Sequence, residues 1–148
     1  RGETMDESVG LPPMEELRKL GHEISAIQET YDYGNNPLAA RVLRNFHRYL
    51  WKVSLRTLEE KRQVISCLAG KAQMVVMGDG RVSSCEMLEP VGDLRAQGWD
   101  EIKESEAFKA QVADIVAGKC HCTHNCAMFD SIFFNPRNIP KLLHQTVG

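Results

Sequence analysis

Apolar residues recur every three or four positions over two long stretches in the first half of the chain. This spacing predicts an amphipathic helix across about 13–31, after Pro12, and a second, longer one across about 38–68. The segment between them, YDYGNNP, is rich in turn-forming residues. We therefore predict a helical first half, with Gly70 as the C-cap of the second helix.

The hydrophobic pattern changes after Gly70. A β-prone run at 74–77, a Gly-Asp-Gly turn and a returning strand at 81–85 predict a β-hairpin. A helical pattern resumes across about 99–117, and a short apolar helix should follow the cysteines near residue 120. The pattern predicts an α+β fold, in which a mostly helical N-terminal half precedes a small unit of a β-hairpin plus helix.

Composition and charge restrict the kinds of partner. With 43% hydrophobic and 26% charged residues, the chain has the composition of a soluble globular protein. A net charge of -2 gives no general attraction to nucleic acid or to anionic lipid. No apolar run approaches the roughly 20 residues needed to cross a bilayer, and the first residues lack the apolar segment of a secretory signal. We expect a cytoplasmic protein with no nucleic-acid and no membrane partner.

Three cysteines stand close together in KCHCTHNC, at Cys120, Cys122 and Cys126. The chain has five cysteines, and clustered cysteines in a reducing compartment are more often metal ligands than disulfide partners. Cys85, at the end of the predicted hairpin, is the natural fourth ligand. Four thiolates suit either tetrahedral zinc or an iron–sulfur cluster, and the spacing alone leaves both open.

The fifth cysteine and the histidines are not predicted to be metal ligands. Cys67 falls in the apolar stripe of the second predicted helix, so we expect a small buried residue and not a ligand. Because four cysteines complete a site, His121 and His124 should at most donate hydrogen bonds to the ligands. The remaining histidines are predicted to be structural or surface residues: His22, His47 and His144.

The segments SSCEMLEPVGDLR and IVAGKCHCTHNCAM together resemble the C-terminal auxiliary-cluster region, of SPASM or twitch type, of radical S-adenosylmethionine enzymes. In that region a cysteine follows a hairpin, a proline–glycine segment comes next, and a helix leads to a second group of cysteines. The resemblance covers about 70–130. It implies that an auxiliary iron–sulfur cluster of the 4Fe–4S type is held by four residues: Cys85, Cys120, Cys122 and Cys126.

The first half of the chain resembles the end of the catalytic barrel of the same enzymes. RGE at 1–3 is similar to the end of a late barrel strand, and the two helices would follow it. The resemblance thus implies that 1–69 is the helical end of a radical S-adenosylmethionine barrel with a linker. Residues 70–148 would then be the auxiliary-cluster domain.

One departure from the family pattern is large. The C-x3-C-x2-C motif that holds the S-adenosylmethionine-cleaving cluster is absent from this sequence. We therefore expect a C-terminal piece of a longer oxidoreductase or maturase, with no catalytic and no cofactor-binding residue of its own. S-adenosylmethionine would bind only in the full-length parent.

The resemblance also implies a role and partners for the domain. The cluster would serve electron transfer or substrate placement. The expected partners are a barrel domain, a substrate that is a peptide or a small molecule, and an electron-donor protein. The alternative is a zinc-stapled four-cysteine interaction module without redox chemistry; a third hypothesis is a helical interaction protein with unliganded thiols.

Overall fold

The computed structural model describes residues 10–144. Its helices and strands follow one another as α1 (Met14–Glu29), α2 (Pro37–Glu60), β1 (Val75–Val76), β2 (Arg81–Ser83), β3 (Gly92–Asp93), α3 (Trp99–Glu104), α4 (Glu106–Val116), α5 (Asn125–Phe133) and α6 (Ile139–Leu143). A 3-10 turn at Pro136–Asn138 separates α5 from α6. The fold is α+β and mostly helical with a small antiparallel sheet, as the sequence pattern predicts.

The helices α1 and α2 pack together as a hairpin. The Asn36 side chain caps α2 by accepting hydrogen bonds from backbone amides of its first turn. Where the helices meet, a Cβ atom on Gly21 would lie only 1.8 Å from Trp51 Nε1, so a glycine is required for this close approach. An ion pair between Arg18 and Glu59 also joins the two helices.

The second helix ends earlier than predicted. It stops at Glu60, where Lys61 takes a left-handed φ of 48°, so the prediction of a helix through residue 68 is wrong. The apolar spacing continues beyond this point because Ile65 still packs against the helical core around Phe46. A loop that packs along a helical core can therefore have the same spacing of apolar residues as a helix.

Gly70 has a different role from the one predicted. It has a φ of +77° but lies within the loop that follows α2, so it is not a helix C-cap. A Cβ atom there would lie 2.5 Å from Val112 Cγ2 and 3.0 Å from Ser84 Cβ. The close approach of this loop to α4 and to the end of β2 is what requires a glycine.

The predicted hairpin is confirmed, and a third strand extends it. β1 and β2 pair antiparallel, with Val75 opposite Ser83. The proline–glycine segment supplies β3 on the other edge of β2, with Val82 opposite Gly92. A Cβ atom on Gly92 would lie 2.6 Å from Ile102 Cγ2, so α3 sits directly on this strand.

The helix predicted across 99–117 is two helices. Ser105 has an extended backbone (φ -64°, ψ 146°) that separates α3 from α4. Its Oγ accepts a hydrogen bond from the Phe108 amide at 3.2 Å and so caps α4. The apolar periodicity passes through this break, since Ile102 and Phe108 enter the same buried cluster.

Three clusters of buried apolar side chains hold the fold together. One is helical and joins α2, α5 and α6; the others lie beneath the sheet and beside the cysteines. Their buried members are Phe46, Ile132 and Leu142; Val82, Ile102 and Phe108; and Ala69, Cys85 and Ile115.

The chain returns to α2 after the cysteines. Asn45 Nδ2 on α2 donates a buried hydrogen bond of 2.8 Å to the Leu142 carbonyl, which fastens α6 to α2. The division into 1–69 and 70–148 stays a prediction, and RGE at 1–3 lies outside the described residues. Among residues 10–144, no helix has both the length and the apolar character needed to cross a membrane.

Candidate metal centre

Cys85 is held in a fixed position just beyond β2. It is buried, and Ser83 Oγ donates a hydrogen bond of 2.7 Å to its carbonyl oxygen. The neighbouring Ser84 donates from its hydroxyl to Gln111 Oε1 at 2.8 Å, and Gln111 Nε2 donates to the Glu89 carbonyl at 2.7 Å. One glutamine of α4 therefore ties together the chain on both sides of Cys85.

The cysteine-rich loop lies between α4 and α5. Gly118, with a φ of +70°, ends α4 and turns the chain into this loop. Cys120 is exposed, whereas Cys122 is half-buried. The Cys122 amide donates to Gln63 Oε1 at 3.2 Å, so the loop is fastened to the segment that follows α2.

Cys67 lies beside Cys85, an arrangement that the sequence interpretation missed. It is half-buried in the loop after α2 and packs against the small core cluster that contains Cys85 and Ile115. The amide of the adjacent Leu68 donates to Ser131 Oγ at 3.0 Å, which holds this loop against α5. The helix that was the reason for setting Cys67 aside does not extend to it.

A signal for Cys67 was present in the sequence. The two strands of an antiparallel hairpin bring the residues before the first strand close to those after the second. Cys67 precedes β1 and Cys85 follows β2, so these two cysteines bracket the predicted hairpin. The incorrect helix through residue 68 concealed this relation.

Electrostatic effects on the thiols show which cysteines are neighbours. Desolvation by the protein on one side of Cys120 raises the pKa of its thiol, and the Cys67, Cys122 and Cys85 thiols add to the rise. Burial likewise raises the pKa of Cys122, partly offset by a backbone hydrogen bond, with further increases from Cys67 and Cys85. The thiols of Cys67, Cys85, Cys120 and Cys122 are therefore close enough to interact electrostatically.

Cys126 belongs to a group of mixed chemistry. It is exposed in the first turn of α5, and its ligand atom lies with those of Glu86 and His124 within 4.8 Å of one another. His124 Nε2 is 2.7 Å from Glu86 Oε2. This sulfur, nitrogen and oxygen set could hold a single cation, and His124 has a carboxylate partner that the sequence did not indicate.

The donor set fits a cysteine-ligated metal centre. All five cysteines are free thiols, and soft thiolates are the ligands of iron–sulfur clusters and of structural zinc. Because the pKa values of Cys120 and Cys122 are raised, these thiols hold their protons in the metal-free protein, and metal binding must displace them. Ligation by the predicted set of Cys85, Cys120, Cys122 and Cys126 stays a prediction.

Comparison with known proteins agrees with the chemistry of this region. Residues 67–127 match the family described as SPASM, an iron-sulfur cluster-binding domain. Neither a curated protein nor a solved structure matches the chain. The match begins at Cys67, ends one residue beyond Cys126 and so includes every cysteine of the chain. Residues 67–127 are thus similar to a SPASM iron–sulfur cluster-binding domain, and the resemblance to that family is confirmed for this part of the chain.

Proposed function

We propose that the chain is the C-terminal part of a radical S-adenosylmethionine enzyme and that it binds an auxiliary 4Fe–4S cluster through cysteine thiolates. One observation carries the proposal: the SPASM match covers the region in which the fold gathers the thiols. The match supports iron–sulfur binding in general. The 4Fe–4S type of the cluster, the identity of its ligands and the radical S-adenosylmethionine enzyme are parts of our proposal.

Three of the proposed ligands are Cys85, Cys120 and Cys122. The fourth ligand is either Cys126 or Cys67. The sequence pattern favoured Cys126. Packing in the folded chain favours Cys67, because it touches the cluster of side chains around Cys85, whereas Cys126 lies at the exposed edge with His124. Which of the two is a ligand is directly testable.

Four protein thiolates would leave no open coordination position, so this chain has no place to bind S-adenosylmethionine at the cluster. When bound, the cluster supplies one-electron chemistry whose potential depends on burial and on hydrogen bonds to the sulfurs. The apolar side chains of Ala69, Ile115 and Leu88 pack beside Cys85 and limit water on that side. We infer a role in electron transfer or in substrate placement.

Radical chemistry would be carried out by a barrel domain that binds S-adenosylmethionine in the full-length parent. Exposed apolar side chains on and after α1 support packing against such a domain, since Ile27 and Tyr31 each expose more than half of their surface. The substrate would be a peptide or a small molecule, and an electron-donor protein would reduce the cluster.

Zinc is the second candidate, and one observation favours it. Cys126, His124 and Glu86 together offer sulfur, nitrogen and oxygen ligands, a combination that zinc accepts and that iron–sulfur clusters seldom use. In this case the metal would stabilise the fold without redox chemistry.

Anaerobic reconstitution with iron and sulfide separates the two candidates. The cluster proposal predicts a brown protein with sulfur-to-iron charge-transfer absorption and about four iron and four sulfide per chain, as in a 4Fe–4S cluster. A colourless protein with one tightly bound zinc would instead support the zinc module.

Single cysteine variants then identify the ligands. Cys122→Ser should lose iron and sulfide, and His121→Ala, an exposed neighbour, is the matched control that should retain both. If Cys67→Ser loses the cluster and Cys126→Ser keeps it, the fourth ligand is Cys67. The reverse result would establish the set predicted from the sequence.

A further inference from the structure

A cavity of about 480 Å³ lies far from the cysteines along the chain, in the corner between α2 and the loop that precedes it. Arg41, Arg44 and Arg48 line it from α2, and Glu29 and Asn35 line it from the end of α1 and the loop. The three arginines are spaced three and four residues apart, so they lie on one face of the helix. The cavity therefore has a strongly basic wall.

The positive charge of this wall is only partly neutralised. Arg48 forms an ion pair with Glu29. Arg41 and Arg44 have no ion-pair partner among residues 10–144, and the Arg44 Nε atom is buried without a hydrogen-bond acceptor in the same part of the chain. A buried donor without a partner is unfavourable, so this side chain has one donor that the protein leaves unsatisfied.

Helix α2 supplies no negative charge near these arginines. The first turn of α2 has no acidic residue, and its first carboxylate along the chain is Glu59. The Arg44 guanidinium also sits over the Tyr33 ring, 5.7 Å from its centroid, which fixes its direction.

We propose that this cavity binds the phosphate group of a small molecule. Arg41 and Arg44, which have no ion-pair partner among residues 10–144, match the double negative charge of a phosphate monoester. The planar fork of donors on arginine suits phosphate oxygens, and both side chains line the cavity. The site is separate from the cysteine centre and would add a ligand to the cluster-binding function.

The test uses the full chain after reconstitution with iron and sulfide and desalting. Inorganic phosphate is titrated into this protein, and its binding is measured by calorimetry. Saturable binding is expected. Arg41→Gln and Arg44→Gln should each weaken it by about tenfold, the effect of losing one charge-assisted hydrogen bond. Lys52→Gln removes the same charge from an exposed site on α2 outside the cavity and is the matched control, expected to change binding less than about twofold.

A second measurement does not depend on the variants. The Nε–H resonances of Arg41 and Arg44 should shift on addition of phosphate, because the anion would lie against both guanidinium groups. If Lys52→Gln weakens binding as much as Arg41→Gln, the helix attracts anions generally and the proposal is wrong. Absence of saturable binding, or tighter binding of succinate than of phosphate, would also overturn it.

The acidic N-terminal residues are a competing occupant. Glu3, Asp6 and Glu7 precede the described residues and carry carboxylates. If the full chain binds phosphate only after all three are replaced by Gln or Asn, the cavity serves an acidic segment of the chain and the small-molecule proposal fails. If the triple variant binds as the unchanged chain does, this alternative is eliminated and the proposal stands.

Discussion

The helical region and the cysteine region of this chain are stabilised in different ways. In the helical region, Phe46 packs against Phe129 and Phe133, with ring centroids 4.9 Å and 4.7 Å from its own. The cysteine region has one apolar cluster beneath the sheet, around Ile102 and Phe108, but the buried residues next to Cys85 are small, among them Ser83 and Ser84. Large aromatic side chains contribute far more buried apolar area than serines do.

This difference predicts which region depends on metal. A small region with short strands and little apolar area generally needs a disulfide or a metal to fold. The helical region has a continuous core that joins α2, α5 and α6, and it should fold without metal. The same chain would thus contain one part organised by apolar packing and another part organised by its cysteine ligands.

Metal removal should have the largest effect and should act on one region. Protein prepared without iron or zinc should lose hydrogen-exchange protection in β2 and α4, while α2 keeps it. Structural metal sites contribute on the order of 10 kcal/mol to small domains, more than any single core side chain here. Equal protection of both regions in metal-free protein would remove the distinction between them.

Loss of the central aromatic ring should be the next largest effect. Phe46→Ala leaves a cavity beside two other rings and should lower the free energy of unfolding by about 3–5 kcal/mol in urea titrations. Phe134→Ala, at a side chain 63% exposed, is the control and should change it by less than about 0.5 kcal/mol. Similar costs for both variants would show that this core does not organise the helical region.

A smaller effect should come from the contact between the sheet and α3. Gly92→Ala places a Cβ atom 2.6–2.9 Å from three carbons of Ile102 and should cost about 1–3 kcal/mol by overpacking. Gly78→Ala is the control, because nothing lies within 4 Å of a Cβ atom there. Thermal unfolding of the iron-reconstituted protein measures the stability of both variants. A lower iron content in Gly92→Ala than in Gly78→Ala would show that the strain reaches the metal centre.

The smallest expected effect is a pH dependence of the helical region. Burial lowers the pKa of His47, whose Nδ1 lies 3.3 Å from the Tyr33 hydroxyl. Because the folded pKa is below that of the unfolded chain, the unfolded state binds the proton more readily. The stability that His47 contributes is present at neutral pH and decreases as the pH falls through and below its ordinary pKa.

Urea titrations at several pH values between about 8 and 5 test this linkage. His47→Gln should flatten the decline of the unfolding free energy, whereas His22→Gln, at an exposed position of α1, should leave it unchanged. An identical slope in the two variants would assign the decline to other groups.

The sequence by itself determined the features that depend on local patterns. The spacing of apolar residues predicted α1, the start of α2 and the hairpin of β1 and β2, because each is set by residues near one another in the chain. Three cysteines in seven positions predicted a metal centre, because soft ligands at such density have few other uses.

Only the tertiary structure decided what depends on distant contacts. Ile65 packs on Phe46 and keeps a helical spacing without a helix, so Cys67 was placed on the wrong element. The meeting of Cys67 with Cys85 and the closure of the arginine-lined cavity also depend on contacts between separate segments. The periodicity of apolar residues shows which face of a segment is buried. It does not show which other segment covers that face, and this decides which side chains meet in a site.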